Sequence, residues 1–287
     1  MKAAPFRVDP EDPRAPAQAV WDAMTEEERR LVVESLPSEI ERALPPEGDG
    51  HRVPKTQALE ALSEYFRRIR RRMYLSAELP VYYPGEPMFA PDLMAVRDVE
   101  THERRGWIVS QEGRGLDFAL EIHVSGDAKK DFEDNVVRFA RLGIPEYFAF
   151  DVPRRRLLGW SLPEPNATTY APIIPQDGRW VSRVLELDLA IDDGRLRFFH
   201  GSAPLLDGAE LIARLSRMVD DVTKCADEEA KRADEEAKRA DEEAKRADEE
   251  AKRADEEAKR AEVEAKRAAR LAARLRELGV DPDQLED

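Results

Sequence analysis

The sequence predicts an α/β fold, a mixed sheet flanked by helices, followed by a long C-terminal helix. Three observations carry this. An amphipathic helical pattern at residues 130–142 lies between two apolar strand patterns, 116–124 and 146–152, the order of a right-handed parallel crossover. A series of shorter strand patterns follows, ending in an Asp193-Gly194 hairpin signal. Finally, residues 226–260 are the heptad ADEEAKR repeated five times without error.

Along the chain, residues 1–18 are proline-rich and polar, the composition of a mobile arm. Thr25 and Glu28 fit a capping box, so a helix is expected from there to about residue 34, stopping near Pro37. After a Pro- and Gly-rich loop, a second helix is expected over residues 55–73. Ala58, Leu59, Leu62, Phe66, Ile69 and Met73 form its buried stripe. Arg67, Arg68, Arg70, Arg71 and Arg72 crowd its end. They suit either a solvated helix C-terminus or a face that contacts phosphate. Residues 81–83 and 93–96 read as short strands. In 116–124, Leu116, Phe118, Leu120, Ile122 and Val124 alternate with Asp117, Ala119, Glu121 and His123. Phe132, Val136, Phe139 and Ala140 mark the crossover helix, and Gly143 sits where it should end. Strands near 157–161, 168–173, 180–187 and 195–199 are expected as antiparallel additions at the sheet edge.

In the repeat, alanine recurs from Ala226 to Ala265 at alternating spacings of four and three, a heptad seam. Asp227–Lys231 and Glu228–Arg232 are i,i+4 pairs with the acid on the N-terminal side. A helix over 226–278 would span about 80 Å. An alanine seam buries little, so both a homo-oligomeric coiled coil and a solvated single helix remain open. Leu271, Leu275 and Leu278 are its more adhesive end.

The formal charge is −15, of which the five repeats supply −5, and the balance argues against a nucleic-acid coat protein. No run of about 18 apolar residues predicts a membrane span. The start, MKAAPFRVDPEDPR, lacks the apolar core of a secretory signal. With Cys225 as the one cysteine, a disulfide framework and a multi-cysteine zinc site are excluded. A cytoplasmic location is expected, with no membrane partner. Phosphate-loop, nucleophile-elbow and HExxH motifs are missing. Cys225 reads as an incidental thiol, Trp107, Trp160 and Trp180 suit strand cores or rims, and His102 and His200 carry no assigned role.

Two carboxylates carry the candidate chemistry. Asp92 follows Pro91 at the head of a short apolar strand, and Glu121 lies mid-strand with His123 two residues on. A buried acid needs a partner. The two could share a divalent cation, since Mg²⁺ takes oxygen ligands and few carboxylates. Alternatively, each faces an arginine or solvent.

The set Ala90-Pro91-Asp92-Leu93, Leu120-Glu121-Ile122-His123-Val124-Ser125, Asp131, Phe139, Gly143-Ile144-Pro145-Glu146-Tyr147-Phe148 and Asp151 resembles a known family. It is the bacterial family of putative restriction endonucleases within the PD-(D/E)xK nuclease superfamily, and the likeness spans roughly residues 45–205. His51 also matches a histidine common there, and charged C-terminal coiled coils are familiar appendages of the family. The resemblance implies a restriction-endonuclease-like fold and Mg²⁺- (or Mn²⁺-) dependent hydrolysis of DNA, with Asp92 and Glu121 as metal ligands. The family's lysine is absent: His123 stands two after Glu121, and Asn135 occupies the displaced position. His123 and Lys130, or Lys129, are the candidate substitutes, with an ordinary strand histidine and a solvated helix start as the bland alternatives. Arg138 could instead pair with Glu121 or Asp131. Arg67, Arg68, Arg71 and Asn135 are candidate nucleic-acid contacts.

The expected organisation is an arm (1–18), a helical extension (19–48), the nuclease-like domain (49–205), a connecting helix (206–225) and the heptad-repeat helix (226–287). Two functions compete: a metal-dependent endonuclease, and a catalytically degenerate scaffold that binds nucleic acid or protein partners through its coiled coil.

Overall fold

The computed structural model of the chain describes residues 6–38 and 48–279. The loop expected ahead of the second helix lies partly outside them, as does the chain after residue 279. The protein divides into two compact units, one up to Ile212 and one from Ala213 onward.

The first unit opens with α1 (Gln18–Asp22) and α2 (Glu26–Ser35). The capping box at the head of α2 forms as expected. Glu28 N–H donates to the Thr25 hydroxyl while Thr25 N–H donates to the Glu28 carboxylate. Residues 6–17 do not form a free arm. Gly85 N–H donates to the Ala15 carbonyl and Met88 N–H to that of Pro13, and Ala15 is buried. The prolines hold this stretch extended, so it lies along the body as a ribbon.

Helix α3 (Asp49–Arg68) begins six residues before the expected start and ends five before the expected end. Pro54 sits in its second turn, facing the carbonyl of Gly50, where no Cβ adds to the crowding. Arg70 in the left-handed region (φ 56°) stops the helix, so Arg70, Arg71 and Arg72 lie in a turn and Met73 opens a strand. The remaining elements up to residue 151 are β1 (Met73–Ser76), β2 (Val81–Tyr82), β3 (Leu93–Arg97), β4 (Trp107–Ile108), α4 (Val109–Glu112), β5 (Phe118–His123), α5 (Asn135–Arg141) and β6 (Glu146–Asp151). A π-helical turn, Lys130–Asp134, leads into α5, and Gly143 (φ 73°) follows its end.

The main sheet has the order β1-β3-β5-β6, extended by β7 (Arg156–Ser161) and β8 (Ala171–Pro172). Only β5 and β6 run parallel, joined through α5 as the crossover pattern predicts; the other pairs are antiparallel. The expected edge addition holds for β7 and β8 alone. The later strands, β9 (Arg179–Ser182), β10 (Leu187–Asp192), β11 (Arg195–His200) and β12 (Ala203–Pro204), build a second antiparallel sheet. Asp193 and Gly194, both at positive φ, make the two-residue turn between β10 and β11.

That second sheet explains why β5 is buried on both faces rather than alternating between core and solvent. On one face Phe118, Leu120 and Ile122 pack with Leu93, Phe148 and Phe150 against Leu62 and Phe66 of α3 and Leu189 and Phe198 of the second sheet. On the other, Met94, Ala119, Tyr147 and Ala149 pack with Phe139 of α5. Glu121 and His123 face this second side.

Asp207 caps the C-terminal helix, α6 (Gly208–Glu277): Glu210 N–H donates to the Asp207 carboxylate and Asp207 N–H to that of Glu210. The connecting helix and the heptad repeat are one uninterrupted helix, about 105 Å long at 1.5 Å per residue. Of the two kinds of i,i+4 pair expected, the Asp–Lys kind forms, as in Lys238–Asp234, Lys245–Asp241 and Lys252–Asp248 at 2.6–2.7 Å. Among the described residues no helix is long and apolar enough to cross a membrane.

Candidate active site

The register of β3 against β5 creates the site. Leu93 pairs with Leu120, so one step further along the ladder Asp92 faces Glu121. Both are buried, and the charge of Asp92 bears on Glu121. Asp92 Oδ2 accepts from Ile122 N–H at 2.6 Å and meets His51 Nε2 at 3.0 Å. Asn135 Nδ2 donates to Glu121 Oε1 at 3.2 Å. Burial pushes the Glu121 carboxyl well above its ordinary range, and the neighbouring charges of Asp92 and Asp131 push it further.

His123 lies two residues on, with Nδ1 3.0 Å from Asp131 Oδ2 and its ring edge-on to Phe132. Tyr147 holds Asp131 from behind by donating its hydroxyl to the Asp131 carbonyl at 2.6 Å. Burial keeps that phenol neutral, with its pKa pushed up. The π-helical turn widens the start of α5, where Asn135 N–H reaches back to the Lys130 carbonyl. Asp131 and Asn135 then both face the sheet.

Among the described residues, His51, Glu78 and Asp92 offer ligand atoms that all lie within 4.8 Å of one another. With Glu121 beside Asp92, this gives three carboxylates and one imidazole. Glu78 was not legible in the sequence. It follows the edge strand β1 at φ 54°, and no spacing rule connects it to Asp92. Lys55 was missed as well, although it stands one helical turn after His51. Its Nζ donates to Glu78 Oε1 at 2.6 Å.

The other candidates divide. Lys130 Nζ lies 3.8 Å from Asp131 Oδ1, and its charge reaches Glu121, whereas Lys129 is tied to Asp134 at 2.7 Å. Arg138 pairs with neither Glu121 nor Asp131: it donates to the Pro87 carbonyl and stacks over Phe89. The structure does not bring Arg67, Arg68 and Arg71 to Asp92, because Arg67 and Arg68 close α3 at the opposite end from His51 and Arg71 follows that end. Arg67 pairs with Glu64 and Arg71 with Glu186. Arg67 and Arg71, with Arg70, Arg72, Tyr74 and Arg104, line an open cleft of about 920 Å³ that follows β1 to Ser76, two residues from Glu78.

The structure is similar to the crystal structure of a putative nuclease belonging to DUF820 from Anabaena variabilis ATCC 29413. The match has 13% identity and a TM-score of 0.42, and it covers 54% of this chain and 85% of that one. No curated protein matches the sequence. A family model described as "Uma2: Putative restriction endonuclease" matches residues 23–192, more than half of the chain and all the residues of the Asp92–Glu121 cluster. The chain therefore belongs to the Uma2 family of putative restriction endonucleases.

Proposed function

We propose that the protein is a divalent-metal-dependent endonuclease that hydrolyses phosphodiester bonds in DNA. The observation that carries this reading is the meeting of Asp92 and Glu121 across β3 and β5, with His51 and Glu78 alongside. Such a donor set fits Mg²⁺ or Mn²⁺, the imidazole favouring Mn²⁺. The buried carboxylates also concentrate negative charge that a cation would relieve. Held by Asp92, Glu121 and Glu78, the metal would supply the positive charge that phosphodiester hydrolysis requires. The chain's own groups do the positioning. Ile122 N–H and His51 fix Asp92, Asn135 orients Glu121, and Asp131 orients His123. His123 and Lys130 serve as auxiliary groups. Arg67 and Arg71, from the cleft they line, and Arg68 beside them contact the DNA backbone away from the metal-binding carboxylates.

The scaffold reading is favoured by one observation: Asn135 brings a neutral amide, not a cation, to Glu121. Incubation of supercoiled plasmid with Mg²⁺ or Mn²⁺ separates the two. Wild type is expected to cut, and Asp92→Ala to be inert. A wild type that stays inert while Asn135→Lys cuts would establish the scaffold.

A cytoplasmic location suits a chain whose one cysteine is an exposed free thiol. We assign self-association to the root of α6 rather than to its repeat. Leu211, Leu215, Met218, Val222 and Cys225 follow the four-three heptad spacing, and Leu215, Met218 and Val222 are exposed. In the repeat, acids flank the alanine seam on both sides, Asp227 and Glu229 in the first copy, which opposes zipping with a second copy. Mild oxidation is expected to link two chains through Cys225, and Leu215→Glu to abolish the dimer band. A monomer in sedimentation under reducing conditions would refute this assignment.

A further inference from the structure

The candidate centre gathers four carboxylates: Glu78, Asp92, Glu121 and Asp131. A phosphodiester brought there adds negative charge, and more develops as the phosphorus is attacked. Beyond the charge a metal would supply, a cation of the chain aimed at the phosphate oxygens would offset this. Among the described residues, four cationic side chains on the neighbouring helices come into consideration. Arg138 is turned away to Pro87, and Lys129 is tied to Asp134. The Lys130 side chain is 66% exposed, at the rim. That of Lys55 is 7% exposed, inside.

The position of Lys55 is anomalous by the logic of its own helix. Residues 55, 58, 62 and 66 follow one stripe of α3, and Ala58, Leu62 and Phe66 fill it with apolar side chains in the core. Lys55 puts an ammonium where periodicity calls for an apolar residue. Burying it is costly without partners, and stability alone would be served as well by methionine or leucine. His51, one turn earlier on the same helix, reaches Asp92, while Lys55 reaches Glu78. Glu78 itself is more than half exposed, so its carboxylate is free to turn.

We propose that Lys55 is the cationic catalytic residue of this centre, with its ammonium directed at a non-bridging oxygen of the scissile phosphate once Glu78 has turned to the metal. Lys55 forms no covalent bond and transfers no proton; it contributes charge at a fixed point. The proposal rests on the nuclease reading and extends it to a residue outside the strand motif.

The test compares wild type, Lys55→Met, Lys55→Arg and Lys130→Met in three measurements. These are kcat and KM for cleavage of a DNA duplex with Mn²⁺, duplex binding in Ca²⁺ by fluorescence anisotropy, and the rise in Tm on adding Mn²⁺. Lys55→Met is expected to lower kcat by about 10²–10³-fold, the usual cost of removing one charge-stabilising donor. Its Mn²⁺-induced rise in Tm should persist, and duplex binding should weaken by less than about tenfold. Lys55→Arg should recover part of kcat. A Lys55→Met protein that cuts like wild type refutes the role while leaving the nuclease reading intact. So does one that loses the Mn²⁺-induced rise together with activity, because Lys55 would then serve only as the counter-ion of Glu78. A wild type that cuts nothing removes both proposals together.

Discussion

Glu121→Gln is expected to have opposite effects on activity and stability. Cleavage should fall by about 10²–10³-fold, since the variant loses a charge that helps hold the metal. The metal-free protein should nevertheless melt higher than wild type at pH 8. The reason lies in the direction of the Glu121 shift. Burial and the charges of Asp92 and Asp131 raise its pKa above the ordinary value of 4.5. Between that value and the raised one, the folded chain holds a proton that the unfolded chain has released. Stability therefore falls as pH rises through the window, and all of the loss is present above it. Glutamine does not titrate and keeps the hydrogen-bonding shape, so the two proteins should differ little at pH 4 and most at pH 8. Thermal melts at both pH values, with and without Mn²⁺, measure this. A variant less stable than wild type at pH 8 without metal would show that Glu121 is a structural carboxylate, satisfied by Asn135 and its surroundings.

The second large effect lies in the core beneath the site. Phe148 of β6 is fully buried, stacks on Phe118 with centroids 5.5 Å apart, and lies opposite Gly159 of β7. Phe148→Ala is expected to cost about 3–5 kcal/mol through lost burial and the cavity left behind. That lowers Tm by on the order of 10 °C. Gly159 is glycine because of this ring: a Cβ added there would lie 2.6 Å from Phe148 Cε1. Gly159→Ala alone should therefore cost about 1–3 kcal/mol by overpacking. Combining it with Phe148→Leu should cost less than the sum of the two single changes, because the smaller side chain makes room for the methyl. Additive losses in chemical denaturation would mean the contact is relieved elsewhere.

Much of this arrangement was legible in the sequence because it rests on local rules. The Thr25–Glu28 box, the Gly143 stop and the Asp193-Gly194 turn each depend on residues within a few positions of one another. The parallel β5–β6 crossover followed from element order. What stayed hidden depends on which distant segments meet. The alternation in β5 suggested one polar face, and nothing local announced that the second sheet and α5 would cover both. Arg70, Arg71 and Arg72 kept a helical pattern beyond the last helical residue, because periodicity does not register a single left-handed residue. Within the site, Asp92 and Glu121 stood out as acids in apolar strands. Glu78 sits in an ordinary polar loop and gains its place only through the pairing of β1 with β3. Lys55 did leave a trace, a charge within an apolar stripe, but the expected start of α3 at that very residue disguised it as a solvated first turn.

The uniformity of the repeat in α6 also makes its length adjustable in discrete steps. Seven residues at about 100° each fall some 20° short of two full turns and advance the axis by about 10.5 Å. Gain or loss of one ADEEAKR copy thus leaves every ion pair with its partner and nearly preserves the azimuth of Leu271 and Leu275. A three-residue change would instead turn those leucines by about 60° around the shaft. The length of the helix is thus graduated in units of its own heptad, and copy number can vary without altering the sequence of either end.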